Sequence, residues 1–244
     1  MIVLGIDTAT SATSVAVCEL EDGSSATGLA PLRTVVELRD DPRAGARPAH
    51  ARALLKLVDR ALSEAGATLD QVQRIAVGTG PGTFTGLRIG IASAKGLALG
   101  AGIPLVGVSS LRALALGARA TALRQGAEAI CAVIDARRGE VFTATWSVED
   151  VAAEHPISAP TALAPQRLAE QLLAGPRALV VGDGALAFAS ALGRAAAPVG
   201  DATLHRVSAA WHCRLAAGGG SQPGDVLPQY LRLPDAELAR LKRR

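Results

Sequence analysis

The sequence predicts an α/β protein built as two similar lobes, and three observations lead there. An apolar strand ending on an acid occurs twice, as "MIVLGID" up to Asp7 and "CAVID" up to Asp135. Each is followed by a second strand-like run, a helical stretch, and an apolar strand that ends in G-x-G: Gly78-Thr79-Gly80 and Gly182-Asp183-Gly184. The chain has 244 residues, 49% hydrophobic and 19% charged, which is long enough for two lobes of ordinary size and too apolar for disorder.

Taken in order, "MIVLGID" turns through small hydroxyl residues into "TSVAVCEL", where Val15, Val17 and Leu20 carry a strand pattern. The arginine-rich "RTVVELRDDPRAGARPAH" holds short turn signals and leads to "HARALLKLVDRALSEAG". There Leu54, Leu57, Val58, Ala61 and Leu62 make one stripe and Gly66 is a stop signal. His50, at its start, is expected to be a cap or surface residue. "RIAVGTGPG" is the next strand, a helix follows over 85–100, and "IPLVGV" is a further strand. In the second half the hairpin turns through Arg137-Arg138-Gly139 and resumes with Val141, Phe142 and Trp146. A helix opened by Pro165, "PQRLAEQLLAG", and the strand "RALVVGDGALAF" complete the repeat. Asp7 and Asp135, at the hairpin tips, either order their turns through side-chain bonds or hold magnesium through water, and turns are favoured.

Composition narrows the function. Aromatics are 2% and scattered, which argues against a stacking surface for single-stranded RNA. The net charge of +3 is spread along the chain apart from Lys242-Arg243-Arg244. Cys18, Cys131 and Cys213 are odd in number and far apart, against a disulfide framework and for a reducing compartment. An acid at Asp7 precedes any apolar run of signal-peptide length, and no segment has the length and apolarity of a membrane span, so a cytoplasmic protein is expected. The histidines, His50, His155, His205 and His212, form no H-x-x-x-H pair, and no G-x-S-x-G elbow occurs.

"GTGPGTFTGLRIG" opens the helix over 85–100. It fits neither the Walker pattern nor G-x-G-x-x-G, although a phosphate could sit against the N–H groups of Thr83, Phe84 and Thr85. The helix itself carries only two charges, Arg88 and Lys95, and is apolar almost all round, so it must be covered on more than one side. Its own sheet is one cover. The other is internal, or it is another protein packing against Gly90, Ala94 and Ala98.

"MIVLGIDTATSATSVAV", "GTGPGTFTGLRIGIASAKGLALGAGIPLVGVSSL", "IDARRGEVF" and "PQYLR" together resemble the TsaB family, the dimerisation subunit of the bacterial machinery that places threonylcarbamoyl on the adenosine beside the tRNA anticodon. The likeness is dense through residue 110 and looser beyond. It implies two duplicated ribonuclease-H-like lobes of the actin, Hsp70 and sugar-kinase (ASKHA) superfamily, over 1–108 and 109–244, with the last segment packing back on the first lobe. It also implies a distant relation to the glycoprotease-like, peptidase M22-type family.

The resemblance further implies a TsaD-type catalytic partner, a visiting TsaE-type ATPase, and contact with tRNA only through the complex. The sister's two metal histidines fall on Ser110 and Leu114 here, neither of which replaces an imidazole. A non-catalytic scaffold subunit is therefore expected, with no metal or cofactor of its own and ATP with magnesium only at the level of the complex. The subunits are implied to join through first-lobe helices, and the interface is assigned to Leu87, Arg88, Ile91, Ala94, Lys95 and Ala98 with Leu54 and Val58. Ala94→Glu is accordingly expected to abolish partner binding and leave the monomer folded. In this reading the glycine loop is a close-packing corner. Alternatives are an ASKHA-type phosphotransferase binding ATP through Asp7, Thr8, Thr10, Gly182 and Gly184, a degenerate metallopeptidase, and a homodimer formed when the chain is alone.

Overall fold

The computed structural model describes residues 1–21, 31–42, 46–152, 155–195, 200–217 and 223–232. The basic tail at 242–244 and residues 43–45 of the arginine-rich stretch lie outside them. The first hairpin pairs β1 (Ile2–Asp7) with β2 (Thr13–Leu20) antiparallel, in register from Ile2 opposite Glu19 to Asp7 opposite Ser14. β3 (Leu32–Asp40) adds antiparallel beyond β2. β4 (Arg74–Gly80) and β5 (Leu105–Ser109) extend the other side in parallel, giving the order β3-β2-β1-β4-β5.

The second sheet repeats this plan. β6 (Ala129–Arg137) and β7 (Glu140–Ser147) form the hairpin, β8 (Ser158–Leu163) adds antiparallel, and β9 (Ala178–Val181) lies parallel to β6, in the order β8-β7-β6-β9. Matching order and pairing direction make this a duplicated ribonuclease-H-like architecture of the ASKHA type. The strands buried on both faces read as nearly unbroken apolar runs, which is why the sequence pattern found them.

Helices follow their sequence signals. α1 (His50–Glu64) buries Leu54, Val58, Ala61 and Leu62 on one stripe and ends before Gly66 at φ +66°. α2 (Phe84–Ala101) ends at Gly102, also left-handed. α3 (Ser110–Arg124) follows β5, and α4 (Pro165–Ala174) starts on its proline. α5 (Asp183–Ala187), α6 (Ala189–Leu192) and α7 (Ala209–Leu215) complete the described helices.

Helices α3 and α7 cross over. α3, which leaves the first sheet, packs on β6, β7 and β9 of the second, while α7 packs on β1, β2 and β4 of the first. Residues 223–232 also return to the first lobe: Val226 joins its apolar core, and the Gln229 N–H donates to the Thr79 carbonyl at 2.8 Å. Among the described residues no helix is long and apolar enough to cross a membrane. Cys18, Cys131 and Cys213 are free thiols, all buried.

Candidate functional site

The glycine loop brings α2 hard against the first hairpin. A Cβ on Gly86 would collide with the Thr8 carbonyl oxygen, and one on Gly90 with the Thr8 hydroxyl. That hydroxyl donates to the Gly86 carbonyl at 2.8 Å, and the Thr83 N–H donates to the Ala9 carbonyl at 2.8 Å. Thr83 is thus spent on the corner and cannot also receive a phosphate. Phe84, Thr85 and Gly86 are the first-turn residues whose N–H groups the helix leaves without an acceptor.

Around its circumference α2 has three covers from its own chain: the sheet, α1, and the returning segment 223–232. Leu87, Ile91, Ala94 and Ala98 face inward and are buried, as are Leu54 and Val58 on α1. These six do not reach the surface, so the interface register expected from sequence is displaced. An Ala94→Glu change would force a carboxylate into a site with no exposure and unfold the lobe, so it does not isolate partner binding. Arg88 and Lys95 are engaged by the returning segment. Arg88 Nε donates to the Tyr230 hydroxyl at 3.0 Å and its guanidinium lies 3.7 Å above the Phe84 ring, while Lys95 Nζ donates to the Gly224 carbonyl at 3.3 Å.

An apolar line of α2 is left exposed by the described residues. Ala92, Gly96 and Leu99 run along the outer side of α2, and Leu55 stands out from neighbouring α1. Leu99 is 70% exposed and Leu55 56%. A Cβ on Gly96 would meet nothing within 4 Å. Small residues beside the protruding Leu99 leave the α2 backbone open to close approach by a second polypeptide.

At the lobe junction the structure gathers residues that the sequence kept apart. The Asp7 side chain is 1% exposed. Its Oδ1 accepts from the Ala9 N–H at 2.9 Å, and its Oδ2 accepts from Ser110 Oγ at 2.7 Å. His212 Nε2 of α7 is 3.0 Å from the same Oδ2. Burial drives the Asp7 carboxyl upward, but contact with His212, then Ser110 and the Ala9 N–H, outweighs it and holds the pKa below the usual carboxylate value.

α7 is fastened at both ends. Glu37 accepts from Ser208 Oγ and the Ala209 N–H, each at 2.9 Å, at its N-terminus, where a carboxylate complements the helix dipole. Arg74 Nη1 donates to the Ala216 and Ala217 carbonyls at 2.6 Å at the other end.

The residues of the nucleotide alternative are spent inside this frame. Thr8 and Thr10 are buried with Asp7. The Gly182 carbonyl meets His205 Nδ1 at 3.0 Å, and Gly182 and Gly184 lie against the Val133, Ile134 and Asp135 backbone. Ser110 and Leu114 both point into the interior. Asp183 is nearly buried, which pushes its carboxyl above the usual value despite the Asp135 N–H that it accepts at 3.0 Å. His50 is likewise buried rather than a surface cap, with Nδ1 2.9 Å from Thr13 Oγ1. Burial pulls its pKa down, against the opposing pull of Asp7, the Thr10 carbonyl and Asp40. Among the described residues no group of three or more His, Cys, Asp or Glu is placed to hold a metal.

A family model described as TsaD, tRNA N6-adenosine threonylcarbamoyltransferase, matches residues 42–192. YeaZ from Pseudomonas aeruginosa, a solved structure, is 32% identical with a TM-score of 0.71, covering 94% of this chain and 99% of that one. The tRNA threonylcarbamoyladenosine biosynthesis protein TsaB of Escherichia coli (strain K12) is 38% identical over 172 residues. The chain belongs to the TsaB family. The match to the E. coli TsaB covers 70% of this chain and 66% of that protein. A Haemophilus influenzae TsaB is 43% identical over 97 residues, 40% of each. A Brucella ovis tRNA N6-adenosine threonylcarbamoyltransferase is 39% identical over half of this chain but only 35% of its own length. The TsaB family and the transferase therefore share a lobe-sized stretch, in keeping with the glycoprotease-like relation.

Proposed function

We propose that this chain is a non-catalytic scaffold subunit that binds a TsaD-type transferase in tRNA threonylcarbamoyladenosine biosynthesis and holds it in its working arrangement. Family membership carries the coarser half, a part in that biosynthesis. The finer half rests on one observation, the exposed apolar residues Ala92, Gly96 and Leu99 along α2, with Leu55 exposed on neighbouring α1. Burying the two leucines alone would contribute a few kcal/mol, about 1.5–3 each if fully covered. The sealed Asp7, and Ser110 and Leu114 in place of metal ligands, support a chain that leaves chemistry to its partner.

In this reading a TsaE-type ATPase joins at the complex, tRNA is met only there, and ATP with magnesium enters there as well. A second copy of this chain can use the same face when the partner is absent, since an apolar stripe of this kind is equally open to itself. The work is placed in the cytoplasm, where tRNA is modified.

The test reconstitutes tRNA modification from this chain, its cognate TsaD-type subunit and a TsaE-type ATPase, omitting each in turn. Modification is expected to need all three and to fall sharply when Leu99→Asp replaces the wild-type chain. Full modification without this chain, or transfer by this chain with the TsaD-type subunit omitted, contradicts the proposal.

A further inference from the structure

Residues 223–232 run from the first lobe to the second and touch α2 on the way. Val226 is buried in the first lobe's apolar core, against Gly107, where a Cβ would come within 3.1 Å of Val226 Cγ1. The Gln229 N–H donates to the Thr79 carbonyl at 2.8 Å, near the end of β4. On α2, Lys95 Nζ donates to the Gly224 carbonyl and Arg88 Nε to the Tyr230 hydroxyl, and the Tyr230 ring stands 5.0 Å from that of Phe84. The last two residues belong to the other lobe. Leu231 packs against the second lobe's apolar core, and Arg232 Nη1 pairs with Glu140, the first residue of β7, at 2.9 Å.

Little slack separates these ties. The chain from Gln229 to Arg232 spans at most about 10 Å when fully extended. A movement of β7 away from β4 therefore has to break the Leu231 and Arg232 contacts or draw Tyr230 away from Phe84 and Arg88. Both sets are weak beside the core. Tyr230 is 39% exposed, and the Arg232 and Glu140 side chains keep 24% and 40% of their surface open. Surface ties of this strength open readily, whereas Val226 and the Gln229 bond stay with the first lobe. The main packing partners of α2 are β4, α1, β1 and β5, all of the first lobe, so this segment is a route from α2 to the second.

We infer that residues 223–232 form a tether through which the second lobe holds the first half of α2 in place, with Tyr230 and Arg232 as its positioning residues. With the tether engaged, the Tyr230 ring and hydroxyl fix Phe84 and Arg88. With it released, the start of α2 loosens while both apolar cores remain. Coupling of this kind is reciprocal, so a change at α2 is felt at the start of β7 as strongly as the reverse. A partner that binds the outer side of α2 better in the engaged state draws the lobes into their present relation. That use in assembly rests on the proposed function, whereas the tether exists whether or not the face docks a partner.

Hydrogen exchange of the full chain, alone, read by mass spectrometry, tests the tether. Leu231→Ser with Arg232→Ala cuts its second-lobe end and is expected to speed exchange over residues 87–95 at least about threefold, although both residues pack on the second lobe. Tyr230→Ala cuts the α2 end and is expected to speed exchange over residues 140–143 by a similar factor, although its ring and hydroxyl are spent on Phe84 and Arg88. Arg232→Glu is expected to speed exchange over 87–95 as well, and adding Glu140→Arg to restore the wild-type rates. Arg167→Ala, which breaks an exposed ion pair on α4, leaves both stretches unchanged. Faster exchange confined to 223–232, or spread evenly through β6 and β9 as well, overturns the inference. The docking reading fails separately. A Gly96→Arg chain that still forms the complex contradicts that reading and leaves the tether standing, whereas exchange over 87–95 that ignores the second-lobe end removes the tether and leaves docking standing.

Discussion

Asp7 and Asp135 occupy the same place in the two lobes and live in opposite surroundings. Each closes its turn by accepting from the N–H two residues on, Ala9 at 2.9 Å and Arg137 at 2.7 Å. Beyond that bond they part. Asp7 is shut in by Ser110 and by His212 from the crossing helix α7. Asp135 keeps 18% of its side chain open and pairs with the exposed Arg137. Duplication thus copied a backbone, and the crossing of α7 turned one copy into a clasp between lobes while the other stayed at the surface. A position that could serve phosphate chemistry elsewhere on such a fold is used here for assembly.

That contrast can be broken by mutation. Removing the buried Asp7 carboxylate strips Ser110 and His212 of their partner inside the junction, so Asp7→Ala is expected to cost about 3–5 kcal/mol. Its equivalent, Asp135→Ala, loses an exposed ion pair and a turn bond and should cost about 1 kcal/mol. Urea unfolding of the two variants side by side checks the ratio, and equal losses would mean that the clasp holds nothing. Ser110→Ala removes one hydrogen bond to the Asp7 carboxylate and is expected to cost about 1.5–3 kcal/mol.

Acid sharpens the same comparison. Because the folded pKa of Asp7 is depressed, its ionised form contributes stability that is complete above its unfolded value, about 3.9, and fades as pH falls through the lower folded value. The stability gap between wild type and Asp7→Asn should therefore narrow as the pH of urea titrations is lowered below about 4. A gap that stays constant into strong acid would assign the clasp to shape rather than charge. The smallest expected effect lies away from the junction. Gly96→Ala fills open space on an exposed helix face and should stabilise the chain by about 1 kcal/mol, read as a raised melting temperature.

The hairpins, the helix limits and the duplication were legible because strand runs, Gly66 and Pro165 write their own punctuation. The outward register of α2 was not. Ala92 and Ala94 are the same residue two positions apart, and a helix apolar on nearly every side gives no polar stripe to mark the exposed one. Arg88 and Lys95 looked like rim charges because the segment that engages them, up to Tyr230, lies more than a hundred residues away. His212 carried no local spacing, since its partner Asp7 is brought to it only by the crossing of α7. His50 was read as a cap from its place at a helix start, and nothing local signals that Thr13 and Gly86 enclose it.

The central claim is that the outer side of α2 docks a partner. Gly96→Arg tests it most directly, since the position is open, helical and indifferent to the core. Complex formation with the cognate TsaD-type subunit is measured by size-exclusion chromatography with light scattering, alongside the melting temperature of the free chain. The account predicts a melting temperature no lower than wild type and loss of the complex. A complex formed undiminished by the folded variant would contradict it.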